Sequence, residues 1–336
     1  MHSPNSADRP DTPSAPLDEF AAIDRLRSRF EASTRADAPG SVLPPDGETW
    51  IGDDAAVVVL GPPGGTGRAV LATDLVVEGV HVDLGLCTLD DVGYKAVMVT
   101  LSDLAAMGAR ASHLLVSIAA PTGTDLDLLG AGLADAAREA RCVIVGGDLS
   151  TGPALVVSTA AVGLLAAGPG PLLRSGARPG DRLLVTGALG RSAAGLRLLR
   201  SGTPADNPPG PELMSAHRRP VARLAEGEVA RLGGATAAID ISDGLAADLR
   251  HLAGSSGVGA ALDRLPVADG ATGAEALGGG EDYELLIATP DPDRLVEAFG
   301  SAGLRPPVDI GACTGRPGVT TLAGDLLPEV GWRHRF

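Results

Sequence analysis

Apolar and polar positions divide the chain into segments of changing period. Residues 1–16 are rich in Pro, Ser and Asp with no apolar core, and read as a disordered tail. Phe20, Ile23, Leu26 and Phe30 then share one face at helical spacing, and residues 34–48 return to loop composition. Apolar runs at 55–60 and 68–72, joined by the turn-rich segment 61–67, predict a hairpin. A helix is predicted over 90–107, with Val92, Ala96, Val99 and Leu104 in phase and Gly108 as its stop. A strand at 114–119, a helix over 125–140 and strands at 143–145 and 155–162 follow. Strands with two interleaved helices predict an α+β layer.

A Gly-Pro-Gly-Pro stretch at 168–171 reads as a linker. Beyond it come a strand at 182–186, a helix at 192–200 and a Pro-rich loop at 206–211. A helix at 220–232, a short strand at 237–241 and a helix at 244–252 follow. Strands near 260–262 and at 284–288, a helix at 294–302 and a strand at 308–312 complete the pattern. This is a second α/β domain. The expected division is a tail at 1–16, a domain over 17–168 and a domain over 169–336.

Composition narrows the chemistry. The 336 residues carry 27 − 42 = −15 charges, which argues against a general nucleic-acid binder. Lys95 is the sole lysine, so the other 26 basic residues are arginine. No Gly-Lys-Ser/Thr tripeptide exists to make a P-loop. Cys87, Cys142 and Cys313 form neither a zinc pattern nor a disulfide framework, and the N-terminus lacks a signal-peptide pattern; a cytoplasmic location is expected. The uncharged stretch from 149 to 173 contains a compact apolar part of 14 residues, 154–167, short of the roughly 20 a spanning helix needs. It reads as a buried strand with its flank, and no membrane partner is expected.

The informative feature is where the aspartates fall. Gly52-Asp53-Asp54, Thr73-Asp74, Ser102-Asp103, Gly146-Gly147-Asp148 and Asp240-Ile241-Ser242-Asp243-Gly244 sit at the ends of apolar runs or at expected helix starts. Taken singly, Ser102-Asp103 has the form of a helix cap, Asp53-Asp54 of a turn and Asp74 of a strand end. The glycines before Asp148 let a backbone approach phosphate oxygens, and Asp240 and Asp243 flank a helix entry that favours anions. Recurrence in five places points to oxygen ligands for Mg²⁺, which commonly bridges carboxylates to phosphates. Leu101-Ser102-Asp103 and Ile241-Ser242-Asp243 echo one another, both expected to enter helices. Gly278-Gly279-Gly280-Glu281-Asp282-Tyr283-Glu284 predicts a close backbone approach or a loose loop before a strand.

As an ordered set, these segments resemble the thiamine-monophosphate kinase family, within the ATP-binding superfamily of aminoimidazole ribonucleotide synthetase. The resemblance runs from about Phe20 to the C-terminus and adds Ile51, His81, Tyr94-Lys95-Ala96, Leu104 to Ala109, Arg174-Ser175-Gly176-Ala177 and Val185-Thr186-Gly187. It implies an N-terminal domain that pairs with its twin in a homodimer and a C-terminal α/β domain, with ATP between them. It implies transfer of the γ-phosphate of ATP to thiamine monophosphate. The implied metal ligands are Asp54, Thr73, Asp74, Asp103, Asp148, Asp240 and Asp243, enough for more than one Mg²⁺, with Asp148 in the catalytic role. Nucleotide contacts correspond to Gly147, Asp148, Arg174 and Ser242, and substrate contacts to His81, Glu281 and Trp332. Ala72 replaces a serine common in the family, so that position can offer a metal only its carbonyl. The alternatives are another kinase or synthetase of the superfamily, or a non-catalytic nucleotide-binding relative.

Overall fold

The computed structural model describes residues 47–50, 52–60, 67–202 and 208–333, together with Ala21 and Ile23. Pro44–Trp332 form one compact unit; Met1–Leu43 and Arg333–Phe336 form another. In the second of these, Ala21 and Ile23 are helical. The predicted tail and the positions Phe20, Leu26 and Phe30 lie outside the described residues.

The first half of the larger unit is a five-stranded sheet. Its strands are β1 (Ala56–Leu60), β2 (Gly67–Val77), β3 (Arg110–Ala120), β4 (Val143–Thr151) and β5 (Val156–Leu164), in the order β1-β2-β5-β3-β4. All neighbours are antiparallel except β3 and β4. Helices α1 (Leu89–Ala106) and α2 (Leu126–Glu139) belong to this half, and α1 covers one sheet face. Thr88 and Asp91 close a capping box at the start of α1, and Asp125 caps α2.

Alternation along β2 sends Val70, Ala72 and Val76 to the covered face and leaves Leu71, Thr73 and Leu75 on the other. That other face is open. Register aligns three rows across it: Leu71–Val162–His113–Val143, Thr73–Ala160–Leu115–Gly146 and Leu75–Ser158–Ser117–Asp148. Leu71, Leu75, Leu115 and Val143 are exposed there.

The second half holds a seven-stranded sheet in the order β12-β11-β8-β10-β6-β9-β7. Its strands are β6 (Arg182–Val185), β7 (Ala237–Asp240), β8 (Gly259–Leu262), β9 (Leu285–Thr289), β10 (Val308–Thr314), β11 (Thr320–Leu322) and β12 (Asp325–Leu326). Its helices are α3 (Arg191–Ser201), α4 (Gly210–Arg218), α5 (Leu224–Gly233), α6 (Leu245–Ser256), α7 (Gly273–Gly278) and α8 (Pro292–Ser301).

Several sequence expectations are corrected. The strand expected at 68–72 runs on to Val77, so Thr73 and Asp74 lie within it. The strand expected to stop at 145 runs on to Thr151 and absorbs Gly146-Gly147-Asp148. Partnering with β3 keeps it extended, although its glycines look like a turn signal. Ser102-Asp103 is no cap: it lies within α1, whose start is Thr88. The helix expected from 220 begins at Leu224, and α4, α7, β11 and β12 were not predicted, being short.

Helix α1 is buried on almost every side because it serves both halves. Its Ala105 and Ala106 join Leu172, Leu184, Ala230, Phe299 and others in one apolar cluster. Arg231 locks this junction. Its buried guanidinium donates to the carbonyls of Gly108, Ala166 and Pro169 at 2.6–3.0 Å, satisfying the end of α1 and the connecting segment together. Close approach at the crossings demands glycine. A Cβ on Gly227 of α5 would lie 1.9 Å from the Ala105 carbonyl oxygen. On α2, a Cβ at Gly132 would lie 1.9 Å from that of Asp90.

Gly132→Ala is therefore expected to destabilise the protein by about 1–3 kcal/mol through overpacking. Gly130, on the same helix, has no atom within 4 Å of its virtual Cβ; Gly130→Ala should be neutral or stabilising by up to about 1 kcal/mol. Denaturant unfolding of the two variants checks the contrast, and equal losses would contradict the packing argument.

Candidate active site

Helix α1, strands β2 and β7 and the segment before β1 deliver aspartates to one point. Asp54, Asp103 and Asp240 each place a carboxylate oxygen within 4.8 Å of the others. Asp74 lies on the covered face of β2 in step with Val70, Ala72 and Val76, facing α1. The Asp54 side chain is fully buried and its Oδ2 has no hydrogen-bond partner. Ser102 Oγ, buried in α1, donates to Asp240 Oδ2 at 2.7 Å and ties the first half to the second.

One guanidinium faces this group. Arg174 Nη2 and Nε lie 2.7 and 3.2 Å from Asp54 Oδ1. The backbone of Arg174 is clamped: its N–H donates to both Asp53 oxygens at 3.1 Å, and its carbonyl accepts from Ser256 Oγ at 2.8 Å.

The electrostatics are those of crowded anions. Burial, with Asp54 adding to it, pushes Asp240 up to about 7 and Asp53 up to about 6. Burial, then Asp74 and Asp240, holds the Asp103 carboxyl well above its ordinary range. Burial also raises Asp54, against the pull of Arg174. A cluster of oxygen donors, one of them orphaned and buried, fits a hard divalent cation such as Mg²⁺.

The segment Glu281–Glu284 is hydrogen-bonded to Ile241 and Ser242, next to Asp240. Glu281 and Tyr283 both adopt left-handed backbone conformations, with φ of 65° and 49°. The Glu281 N–H donates to the Ser242 carbonyl at 2.7 Å and that of Tyr283 to Ile241 at 2.9 Å. Gly280 explains the glycine run: its Cβ would lie 2.6 Å from the Ser242 carbonyl oxygen. The close backbone approach inferred from sequence is thus to the chain itself. Glu281 pairs with Lys95 Nζ at 2.6 Å and His217 Nδ1 at 3.3 Å. Burial opposes its charge, but Lys95 and His217 hold it ionised, down to about 2. Asp282 accepts from the Gly190 and Ser192 amides at the start of α3. Glu284 takes both Arg223 nitrogens and the Thr186 hydroxyl. Glu281, Asp282 and Glu284 line a cleft of about 380 Å³ bordered by Arg191, Arg219 and Arg223.

The other predicted residues fall in several places. Ser242 Oγ lies 3.3 Å from Asp240 Oδ1. Asp243 precedes α6, its N–H held by Asp248 at 3.2 Å, and its carbonyl accepts the Trp332 N–H at 3.0 Å. Trp332 is half-exposed. His81 lies in the turn after β2, its Nδ1 accepting from the Val77 N–H at 3.1 Å. Thr73, Gly147 and Asp148 are not gathered with the buried trio. Thr73 is exposed on the open sheet face, and by register Asp148 shares that face with Ser117. Gly147 has a cause within the sheet: its Cβ would lie 1.7 Å from the Val116 carbonyl oxygen.

Asp53, Ser102 and Lys95 lie in motifs noted in the sequence but carry no ligand or contact role there, and Asp248 and His217 are not singled out. A signal existed for Lys95, the sole lysine in an otherwise apolar helical stretch. None existed for His217, whose helix follows a Pro-rich segment.

This arrangement has a family. Residues 52–165 match the model described as AIR synthase related protein, N-terminal domain, and residues 178–323 the one described as AIR synthase related protein, C-terminal domain. The thiamine-monophosphate kinase of Mycobacterium tuberculosis is 40% identical over 293 residues, 82% of each chain. That of Escherichia coli K12 is 37% identical over 303 residues, 85% of this chain and 87% of the relative. Among solved structures, AaThiL complexed with AMPPCP and TMP superposes with a TM-score of 0.79 at 31% identity, covering 95% of this chain and 97% of that one. Hydrogenase maturation protein HypE of E. coli shares the fold, with a TM-score of 0.62 at 24% identity, over 80% of this chain and 85% of its own. The chain belongs to the AIR synthase related family and, within it, to the thiamine-monophosphate kinases. Among the described residues no helix is long and apolar enough to cross a membrane.

Raised carboxylate pKa values set the sign of a pH effect. The folded chain keeps protons on Asp53 and Asp240 that the unfolded chain releases above about 4. Their contribution to stability is therefore present at low pH and is lost as pH rises to about 6 and about 7, respectively. Without divalent cation, Asp240→Asn is expected to be more stable than the parent at pH 8 but not at pH 4. Thermal melts in EDTA at both pH values check this; no gain at pH 8 would contradict the crowding.

Proposed function

We propose that this chain catalyses ATP-dependent phosphorylation of thiamine monophosphate to thiamine diphosphate, with Mg²⁺ held by its aspartates. The observation that carries the reading is the buried oxygen cluster of Asp54, Asp103 and Asp240, with its orphaned Oδ2, in a chain 40% identical to thiamine-monophosphate kinases. A close structural relative binds AMPPCP and TMP, an ATP analogue beside the acceptor proposed here.

The chemistry asks little covalent help of the protein. The acceptor is a phosphate monoester with a second pKa of about 6, so it is mostly dianionic at neutral pH and needs no general base. The obstacle is repulsion between acceptor, nucleotide and a chain of charge −15. When bound, Mg²⁺ neutralises phosphate charge and orients the transferring group. Asp54, Asp74, Asp103, Asp240 and Asp243 would hold it. Arg174 and Ser242 contact the nucleotide. His81, Glu281 and Trp332 contact thiamine monophosphate, with the indole stacking on its cationic ring. Lys95 and His217 fix Glu281 in its charged form for that role.

Thr73, Gly147 and Asp148 act from the open sheet face, the last as the catalytic residue. The same face carries the proposed homodimer contact, since an apolar sheet face of this extent needs a partner. The proposed domains remain 17–168 and 169–336, and the proposed location is the cytoplasm.

With ATP and Mg²⁺, purified protein is expected to convert thiamine monophosphate to the diphosphate, to stop in EDTA and to use thiamine poorly. Preference for thiamine would overturn the assignment. Asp103→Asn and Asp148→Asn should each lower turnover by about 10²-fold or more without lowering the apo melting temperature. Near-normal turnover in Asp148→Asn would make that residue structural. Sedimentation velocity should report a dimer that Leu115→Glu converts to monomer; a monomeric parent chain at micromolar concentration would contradict the pairing.

A further inference from the structure

Arg174 is held in a way that does not suit a permanent ion pair. Both of its contacting nitrogens converge on one oxygen, Asp54 Oδ1. A guanidinium and a carboxylate reach their strongest form by sharing two oxygens in parallel. Here Asp54 Oδ2 is buried and left with no donor. The Arg174 backbone, by contrast, is fixed at both ends, by Asp53 on its N–H and Ser256 on its carbonyl. The side chain is a long arm on a rigid mount, about one-fifth exposed while its partner is fully buried. It has a path to solvent that Asp54 lacks.

We propose that Arg174 is a resident counter-cation for Asp54 that leaves when a divalent cation takes the carboxylate, and that the released guanidinium then meets the nucleotide phosphates. The inference rests on the reading of this site as one for metal and nucleotide. The physical reason is charge balance. The Asp54 side chain is fully buried, and a buried carboxylate needs a cation close by. The Arg174 guanidinium fills that need at 2.7 Å. Once a divalent cation supplies the charge, the same arginine is surplus at Asp54 and free for an incoming anion. Metal and nucleotide thereby favour one another through a single side chain, a coupling that is reciprocal by linkage. An arginine devoted to phosphate alone would have no such link.

The test uses the full-length protein at pH 8 and binding measurements alone. Mn²⁺ is titrated, followed by electron paramagnetic resonance, into the parent chain, Arg174→Met and Arg174→Lys. ADP in EDTA is titrated by calorimetry into the parent chain, Asp54→Asn, Arg174→Met and the double variant. Arg174→Met is expected to bind Mn²⁺ at least tenfold more tightly than the parent, with Arg174→Lys between them. Asp54→Asn is expected to bind metal-free ADP at least fivefold more tightly, because its arginine is already free, and that gain should vanish in the Arg174→Met background. Unchanged or weaker Mn²⁺ binding in Arg174→Met, or an ADP gain that survives in the double variant, would overturn the displacement and leave the site assignment standing. Mn²⁺ binding to neither parent nor variants, even with an ATP analogue present, would overturn the site assignment as well.

Discussion

The structure depends on carboxylates that repel one another at the junction of its two halves. Asp54 comes from the segment before β1, Asp74 from β2, Asp103 from α1 and Asp240 from the end of β7. Bringing them together in a buried place costs free energy, seen in the upward displacement of Asp53, Asp103 and Asp240. The fold offsets that cost with packing elsewhere. Helix α1 is buried on nearly all sides, its crossings with α2 and α5 are close enough to require glycine, and Arg231 fastens its end to the connecting segment. A site under electrostatic tension needs walls that do not yield, and α1 is the wall common to both halves.

The Glu281–Glu284 segment applies the same logic to a loop. Two of its residues, Glu281 and Tyr283, are left-handed, and its three acidic groups each find a separate partner. Lys95, His217, the start of α3 and Arg223 are thereby tied to one short stretch beside Ser242. Backbone strain of this kind persists where surrounding contacts over-determine it, and such places are commonly functional.

Much of this was legible in the sequence, for identifiable reasons. Aspartate is short, so its recurrence after apolar runs reports the position of the backbone, and Asp54, Asp103 and Asp240 do meet. Long periodic elements such as α1 and α2 carry their own caps and phase. What failed was context. Ser102-Asp103 has the composition of a cap, but its neighbours are helical because of α1's packing, and Ser102 instead reaches Asp240 across the junction. By sequence pattern Gly146-Gly147-Asp148 falls beyond a strand ending at 145, yet pairing with β3 extends it, and nothing local to that segment reveals which sheet face Asp148 takes. The pairings of Lys95 with Glu281 and of Arg223 with Glu284 join distant positions by chain topology, which one-dimensional spacing does not encode.

The buried trio is proposed to be a divalent-metal site. Its most direct measurement is anomalous diffraction from crystals grown with Mn²⁺ and an ATP analogue. An anomalous peak is expected within bonding distance of carboxylate oxygens of Asp54, Asp103 and Asp240. Ordered analogue with no anomalous density between those three residues would contradict it.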